Sequence, residues 1–381
     1  MEHTYIIGQS GTGKSTLLKH MTLTAIQKGH GVLFVDPHGT DTDELLQYIP
    51  YNRRNDVILF DPSDADHPIA WNPLEIDGYI ALITSAFEGG IKDAAGYSTT
   101  STPTMSLYIR SALFALIEAG EPITGLTFMP ISPAYRQTVL EKVKDPLIRR
   151  FWEQFDTLTS KNKRQEVAST YNKAFAMILD QRIRNVLGQR KSAFQMAEVL
   201  DGKILLARLP QGSLGLDQVK VLGMLLLSQF HLSALARTNN TPVQVFIDEA
   251  HTFDGGTLCE MLSGLRKYDV GITVAHQTLE QISPRLRSAI LGNVSHKYIF
   301  RVSMADTREL NERLGPDNVN VELYKLPPFV ARHFRGETME DVEAIAALVK
   351  TVRDIGRRQR GKKAQVNVSV ATFIPKPHTP F

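Results

Sequence analysis

Residues 8–15 read GQSGTGKS and follow directly on the apolar run Tyr5–Ile6–Ile7. This is the G-x-x-x-x-G-K-[ST] pattern in its required setting, with a buried strand before it and a helix after it. Residues 16–27 supply the helix, with Leu17, Leu18, Met21 and Ala25 on one face. Gly8, Gly11 and Gly13 let the backbone close around phosphate groups. The loop N–H groups and the helix N-terminus then face the anion. The nucleotide contacts fall on Gly8, Ser10, Gly11, Thr12, Gly13, Lys14, Ser15 and Thr16. Lys14 reaches the β- and γ-phosphates and Ser15 holds Mg²⁺. A chain built around such a loop is committed to an α/β architecture that opens on a nucleotide.

The remaining strand signals agree. GVLFVD (31–36), DVILF (56–60), KILLARL (203–209), VQVFID (243–248), GITVAH (271–276) and HKYIFRV (296–302) are mostly continuous apolar runs rather than alternating ones. That pattern marks strands buried on both faces, in a mostly parallel sheet covered by helices. Between residues 76 and 200 the strand signals give way to helical ones. In 105–120, Ile109, Leu113, Leu116 and Ile117 share a face, and 145–155 and 166–189 also read as helices. The organisation expected is an ATPase domain from 1–75 and 201–335, an all-helical insertion at 76–200, and a basic, Pro-containing tail at 336–381. GYSTTSTPT (96–104) reads as a polar loop and QVNVSVATF (365–373) as a weak strand.

VQVFIDEAHTF (243–253) places Asp248 and Glu249 at the end of an apolar strand. Asp248 is positioned to hold Mg²⁺ with Ser15, and Glu249 to orient the attacking water. The next strand ends in His276 and Gln277, and a glutamine there can sense the γ-phosphate or the water. Arg266 and Lys267 lead into that strand, and Arg266 is a candidate finger for a neighbour's phosphates. The letters DEAH also suggest a helicase box. Lys14 and Asp248 are too far apart for that family, and its Ser-Ala-Thr and Arg-rich motifs are missing.

Composition narrows the partners. One cysteine, Cys259, excludes an internal disulfide framework and argues against a cysteine-rich zinc site. The net charge is +3, but residues 350–363 carry seven Lys/Arg and one Asp, so the rest is slightly acidic. Nucleic-acid contact must therefore come from local patches. The candidates are Lys161, Lys163 and Arg164, and Arg182, Arg184, Arg190 and Lys191. Aromatic residues are sparse among them, which gives little support to base stacking. VLGMLLLSQFHLSALA (221–236) is interrupted by Gln229 and His231 and reads as a buried core helix rather than a membrane span.

Taken together, GQSGTGKST, VLFVDPHGT, FIDEAHTF, LRKYDVGITVAHQTLEQI and AILGNVSHKYIFRVSMADTREL resemble the FtsK–HerA superfamily of DNA-pumping ATPases. They look most like conjugative coupling proteins of the TraG and TraD type. DVILFDPSDADHPIAWNPLE, IRNVLGQRKSAF and GKILLARLPQGSLG are also similar to that branch, so the likeness runs over about 4–335. It implies a RecA-like P-loop NTPase fold, ATP and Mg²⁺ as cofactors, and a homo-oligomer in the form of a hexameric ring with DNA in the channel. Lys14, Ser15, Asp248, Glu249 and Gln277 match the nucleotide motifs, and Arg266 matches the finger supplied to the next subunit. No counterpart of the branch's N-terminal membrane helices, of HerA's barrel or of FtsK's winged helix is expected from this sequence. The expectation is a cytoplasmic motor core, peripheral to the inner membrane through a channel or relaxase-type partner. A protein-secretion ATPase, a viral or mobile-element packaging ATPase and a low-turnover scaffold are the alternatives. Glu249 and Gln277 speak against the scaffold.

Overall fold

The computed structural model describes residues 1–76, 80–81, 83–84, 87–88, 103–159, 180–313, 322–327 and 331–335. Eight strands form one sheet: β1 (Thr4–Ile7), β2 (Gly31–Asp36), β3 (Val57–Phe60), β4 (Ile204–Arg208), β5 (Val243–Ile247), β6 (Val270–His276), β7 (His296–Ile299) and β8 (Arg332–Arg335). Their order across the sheet is β3-β4-β2-β5-β6-β1-β7-β8. Every pairing is parallel except β7 with β8, where His296 lies opposite Arg335. The seven strands read from sequence are all present. β8 was not anticipated, because RHFR is short and polar and carries no apolar run.

Continuous apolar runs are what a two-faced sheet requires. Along β2, Leu33 and Val35 enter one core while Val32 and Phe34 enter the other. β4 divides the same way, with Leu205 and Ala207 on one face and Ile204 and Leu206 on the other. The period of two is intact, but both faces are dry. Gly31 opens β2 where a Cβ would sit 2.0 Å from the Val199 carbonyl oxygen, so only glycine fits.

One face is covered by α1 (Lys14–Gln27) and α2 (Thr40–Tyr48). In α1 the buried stripe is Leu18, Thr22, Ala25 and Ile26, with Leu17 and Met21 packed at its border. Between β3 and β4 the described elements are all helical: α3 (Pro103–Ala119), α4 (Pro133–Leu140), α5 (Pro146–Thr157), α6 (Gln181–Leu187) and α7 (Met196–Leu200). Tyr108 of α3 stacks edge-on against Phe151 and Phe155 of α5. Asp145 caps α5 by accepting from Leu147 N at 2.8 Å, and Pro146 takes the first helical position.

After β4 come the single turn α8 (Gln211–Leu214) and the long α9 (Leu216–Ala236). α9 is long and apolar enough to cross a membrane, but most of it is buried within this fold. Its polar interruptions have partners: the Gln229 side-chain oxygen accepts from Trp71 Nε1 at 2.8 Å, and Ser228 Oγ lies 3.3 Å from Thr257 Oγ1. Gly223 lets α9 press against the turn after β5, where a Cβ would lie 2.1 Å from a Phe253 ring carbon. The C-terminal third adds α10 (Gly256–Gly264), α11 (Pro284–Asn293) and α12 (Met304–Arg313). The expected loop at 96–104, Lys161, Lys163, Arg164, most of the helix at 166–189 and the whole tail from 336 lie outside the described residues.

Candidate active site

The phosphate loop is shaped by its glycines and tied to the sheet beside it. Gly11 and Gly13 hold positive φ, 73° and 105°, which L-residues with side chains avoid. At Gly8 a Cβ would come within 2.5 Å of Phe300 Cβ, at the end of β7. Gln9 N donates to the Arg301 carbonyl at 2.8 Å, and the Gln9 carbonyl accepts from Thr12 Oγ1 at 2.7 Å and from Lys14 Nζ at 3.1 Å. Lys14 is only 6% exposed. Burial pushes its ammonium down, while the charges of Glu249 and Asp248 pull it back.

β5 delivers the two acids. Asp248 is 4% exposed, and its Oδ1 has no hydrogen-bond partner. Burial first, then the charges of Glu249 and Asp41, push its carboxyl up to about 7. A buried, crowded carboxylate with an orphaned oxygen, on the strand beyond the Lys14–Ser15 loop, has the donor chemistry a divalent cation takes. Glu249 follows in the left-handed region, φ 44° and ψ 51°, a strained setting of the kind found at active sites. Its Oε1 accepts from Gln277 Nε2 at 2.7 Å, and its Oε2 lies 3.2 Å from His251 Nδ1. Burial pushes the Glu249 carboxyl up, but the close contact with His251, the hydrogen bond from Gln277 and the charge of Lys14 outweigh it and leave it lowered. Two adjacent carboxyls are thus driven apart, Asp248 upward and Glu249 downward.

Gln277 is held from both sides. His276 is fully buried; its Nδ1 lies 2.9 Å from the Thr278 carbonyl and its Nε2 2.8 Å from the Tyr5 hydroxyl. Because the carbonyl can only accept, Nδ1 carries the proton and Tyr5 donates to Nε2. Burial pulls this imidazole down to about 3, so it stays neutral. The Gln281 side chain accepts from Gln277 N and Thr278 N, at 3.1 and 3.0 Å, and Asp306 accepts from Leu279 N at 3.1 Å. Tyr5 belongs to the strand that launches the phosphate loop, so β1 and the Gln277 turn are fixed to one another.

The structure brings Lys14, Asp248, Glu249 and Gln277 together at the C-terminal ends of β1, β5 and β6. Arg266 is elsewhere. It sits in the single turn Leu265–Tyr268 at the other end of β6, 57% exposed and 3.9 Å from Glu2. The seven residues of β6 separate it from Gln277 by about 20 Å. Of the basic candidates, Arg182 pairs with Asp180, Arg190 with Glu121 and Lys191 with Glu75. Two contributors escaped the residue-by-residue reading. Asp36 ends β2 and caps α2 by accepting from Gly39 N and Thr42 N, both at 2.8 Å. His251 touches Glu249. A sequence signal existed for both: each stands at or just past the end of an apolar run.

Sheet, loop and acids together define a P-loop nucleotide-binding protein of the α/β class. The comparisons with known proteins agree with that fold. Residues 1–78 match the family model described as the type IV secretion-system coupling protein DNA-binding domain. The fold is similar to that of the bacterial conjugative coupling protein TrwB in its unbound form, at 16% identity and a TM-score of 0.63, covering 88% of this chain and 82% of that one. TrwB in complex with ADP and Mg²⁺ gives 17% identity and 0.63, over 88% and 83%. VirB4 of Thermoanaerobacter pseudethanolicus gives 13% and 0.59, over 89% and 91%. No curated protein sequence matches the chain.

Proposed function

We propose that this protein is a ring-forming ATPase that moves DNA, of the conjugative coupling type. The observation that carries the reading is the division of the site across β6. A complete nucleotide side stands at one end and Arg266 at the other, out of its own reach. A residue so placed can serve a nucleotide only on a neighbouring copy, through a head-to-tail interface that closes into a ring. The likeness to coupling proteins supports a hexameric ring with DNA in its channel.

The chemistry follows from the geometry. The loop N–H groups and Lys14 bind the ATP phosphates. Ser15 and Asp248 would hold Mg²⁺, which neutralises charge on the β- and γ-phosphates when bound. Glu249, ionised and steadied by Gln277 and His251, accepts the proton of the attacking water. Gln277, hydrogen-bonded to Glu249 and adjoining the phosphate loop, couples γ-phosphate loss to the β6 turn. Arg266 of the next subunit stabilises the charge that develops. Lys161, Lys163, Arg164, Arg182, Arg184, Arg190 and Lys191 remain proposed backbone contacts. Those in ion pairs would exchange a carboxylate for a phosphate. The protein is proposed to act on the cytoplasmic side, docked on a membrane channel or a relaxase-type protein.

The test is the steady-state ATPase rate of the protein alone, with single-stranded DNA and with blunt duplex DNA, using Lys14→Ala as the blank. Stimulation by one form supports the motor and names its track. A rate indifferent to both, with turnover intact, overturns DNA as the substrate and favours a motor acting on protein.

A further inference from the structure

A cleft of about 440 Å³ opens behind the catalytic glutamate, between the turn that follows β5 and the start of α11. Lys220, Arg285, His251, Asp254, Gly255 and Gly256 line it. Among the described residues neither Lys220 nor Arg285 makes an ion pair or hydrogen bond, whereas Arg53, Arg136, Arg208 and Arg287 all have carboxylate partners. The N-terminus of α10 faces the same space. The one carboxylate in the cleft, Asp254, already accepts from Ser283 N at 2.5 Å and from Ser283 Oγ at 3.0 Å. Two uncommitted cations across one cleft are the chemistry of a phosphate-group site. Aromatic side chains are missing from its lining, so it suits a backbone rather than a base.

The second observation concerns the wall it shares with the active site. His251 lines the cleft, and its Nδ1 lies 3.2 Å from Glu249 Oε2. We propose that this cleft binds the phosphodiester backbone of DNA through Lys220 and Arg285, and that His251 passes its occupancy to Glu249. The proposal rests on the DNA-motor reading and gives it a location. Among the groups facing the cleft, Lys220 and Arg285 hold the phosphate. His251 is a positioning residue, fixing the rotamer of the glutamate that handles the water. DNA in the cleft then raises turnover without touching the nucleotide.

The experiment measures binding of labelled single-stranded and duplex oligonucleotides by fluorescence anisotropy between 50 and 200 mM salt, with ATPase rates alongside. It compares the full chain, the pair Lys220→Gln/Arg285→Gln, and His251→Asn. The paired variant should bind DNA about tenfold more weakly, and its log–log salt slope should shrink by about two, one for each lost cation. Its DNA-free ATPase should be unchanged. His251→Asn should bind DNA with unchanged affinity and slope but lose most of the stimulation. Wild-type affinity and slope in the paired variant would overturn the cleft. Full stimulation in His251→Asn would overturn the relay. If the unaltered protein neither binds DNA nor responds to it, the motor reading falls, and the cleft with it.

Discussion

The two ends of β6 are built to different standards. At the C-terminal end, Glu249 bonds to Gln277, and the turn that carries Gln277 is held by His276, Tyr5, Gln281 and Asp306. At the N-terminal end, Arg266 is exposed and has one long contact, 3.9 Å to Glu2. The first end is over-determined, which lets it keep Glu249 in a strained backbone conformation at a cost of about 1–3 kcal/mol. The second end is under-determined within one chain. On the proposed reading, the geometry of Arg266 is set by an interface with a neighbouring copy and not by its own core.

Breaking the over-determined end should have the largest effect. Glu249→Gln should leave nucleotide affinity intact and lower turnover by about 10²–10⁴, the range expected for a lost proton acceptor; equal turnover would remove Glu249 from the mechanism. Arg266→Ala should also spare binding and cost on the order of 10³ or more in turnover. Its distinguishing mark is rescue. Mixing it with Glu249→Gln subunits, which still carry Arg266, should restore measurable hydrolysis. No recovery at any ratio would show that Arg266 does not act in trans.

A smaller effect sharpens the same contrast through pH. Burial lowers the imidazole of His276 to about 3 from an ordinary value near 6.5. Below pH 6.5 the unfolded chain takes up a proton that the folded chain refuses, so stability falls as pH drops from 6.5 toward 3. At pH 5 this one residue costs about 2 kcal/mol. Comparing urea unfolding of the wild type and His276→Gln from pH 7 to pH 4.5 should show a wild-type slope steeper by about one proton. Parallel curves would mean that the Tyr5–His276–Thr278 chain does not hold a neutral imidazole. The mildest expected change is Gly223→Ala, where the added methyl meets Phe253. It should cost about 1–3 kcal/mol of stability by displacing the turn after β5, measured as a lowered melting temperature. An unchanged melting temperature would show that this turn yields.

Much of the site was legible before any coordinates because its chemistry is local. The spacing of Gly8, Gly13, Lys14 and Ser15 is fixed by how a backbone wraps phosphate, and Asp248 and Glu249 were marked by the strand that ends before them. Most of the seven strands announced themselves because burial on both faces favours apolar residues; β3 and β7 are only partly buried. β8 was silent because an edge strand of four residues pairing on one side needs no such run. His276 was visible as a residue but not as a constraint: its partner Tyr5 lies 271 positions away. Nothing in either segment encodes that meeting.

By itself, then, the sequence determined the class of fold, the nucleotide loop and the paired acids, since these depend on residues adjacent in the chain and on whether each face is wet or dry. The tertiary structure alone decided the rest. It set which carboxyl is pushed up and which is lowered, that Arg266 stands a full strand-length from Gln277, and that His251 lies between Glu249 and the cleft lined by Lys220 and Arg285. Those properties arise from burial and from distances across the sheet. They come into being only when segments hundreds of residues apart are packed side by side.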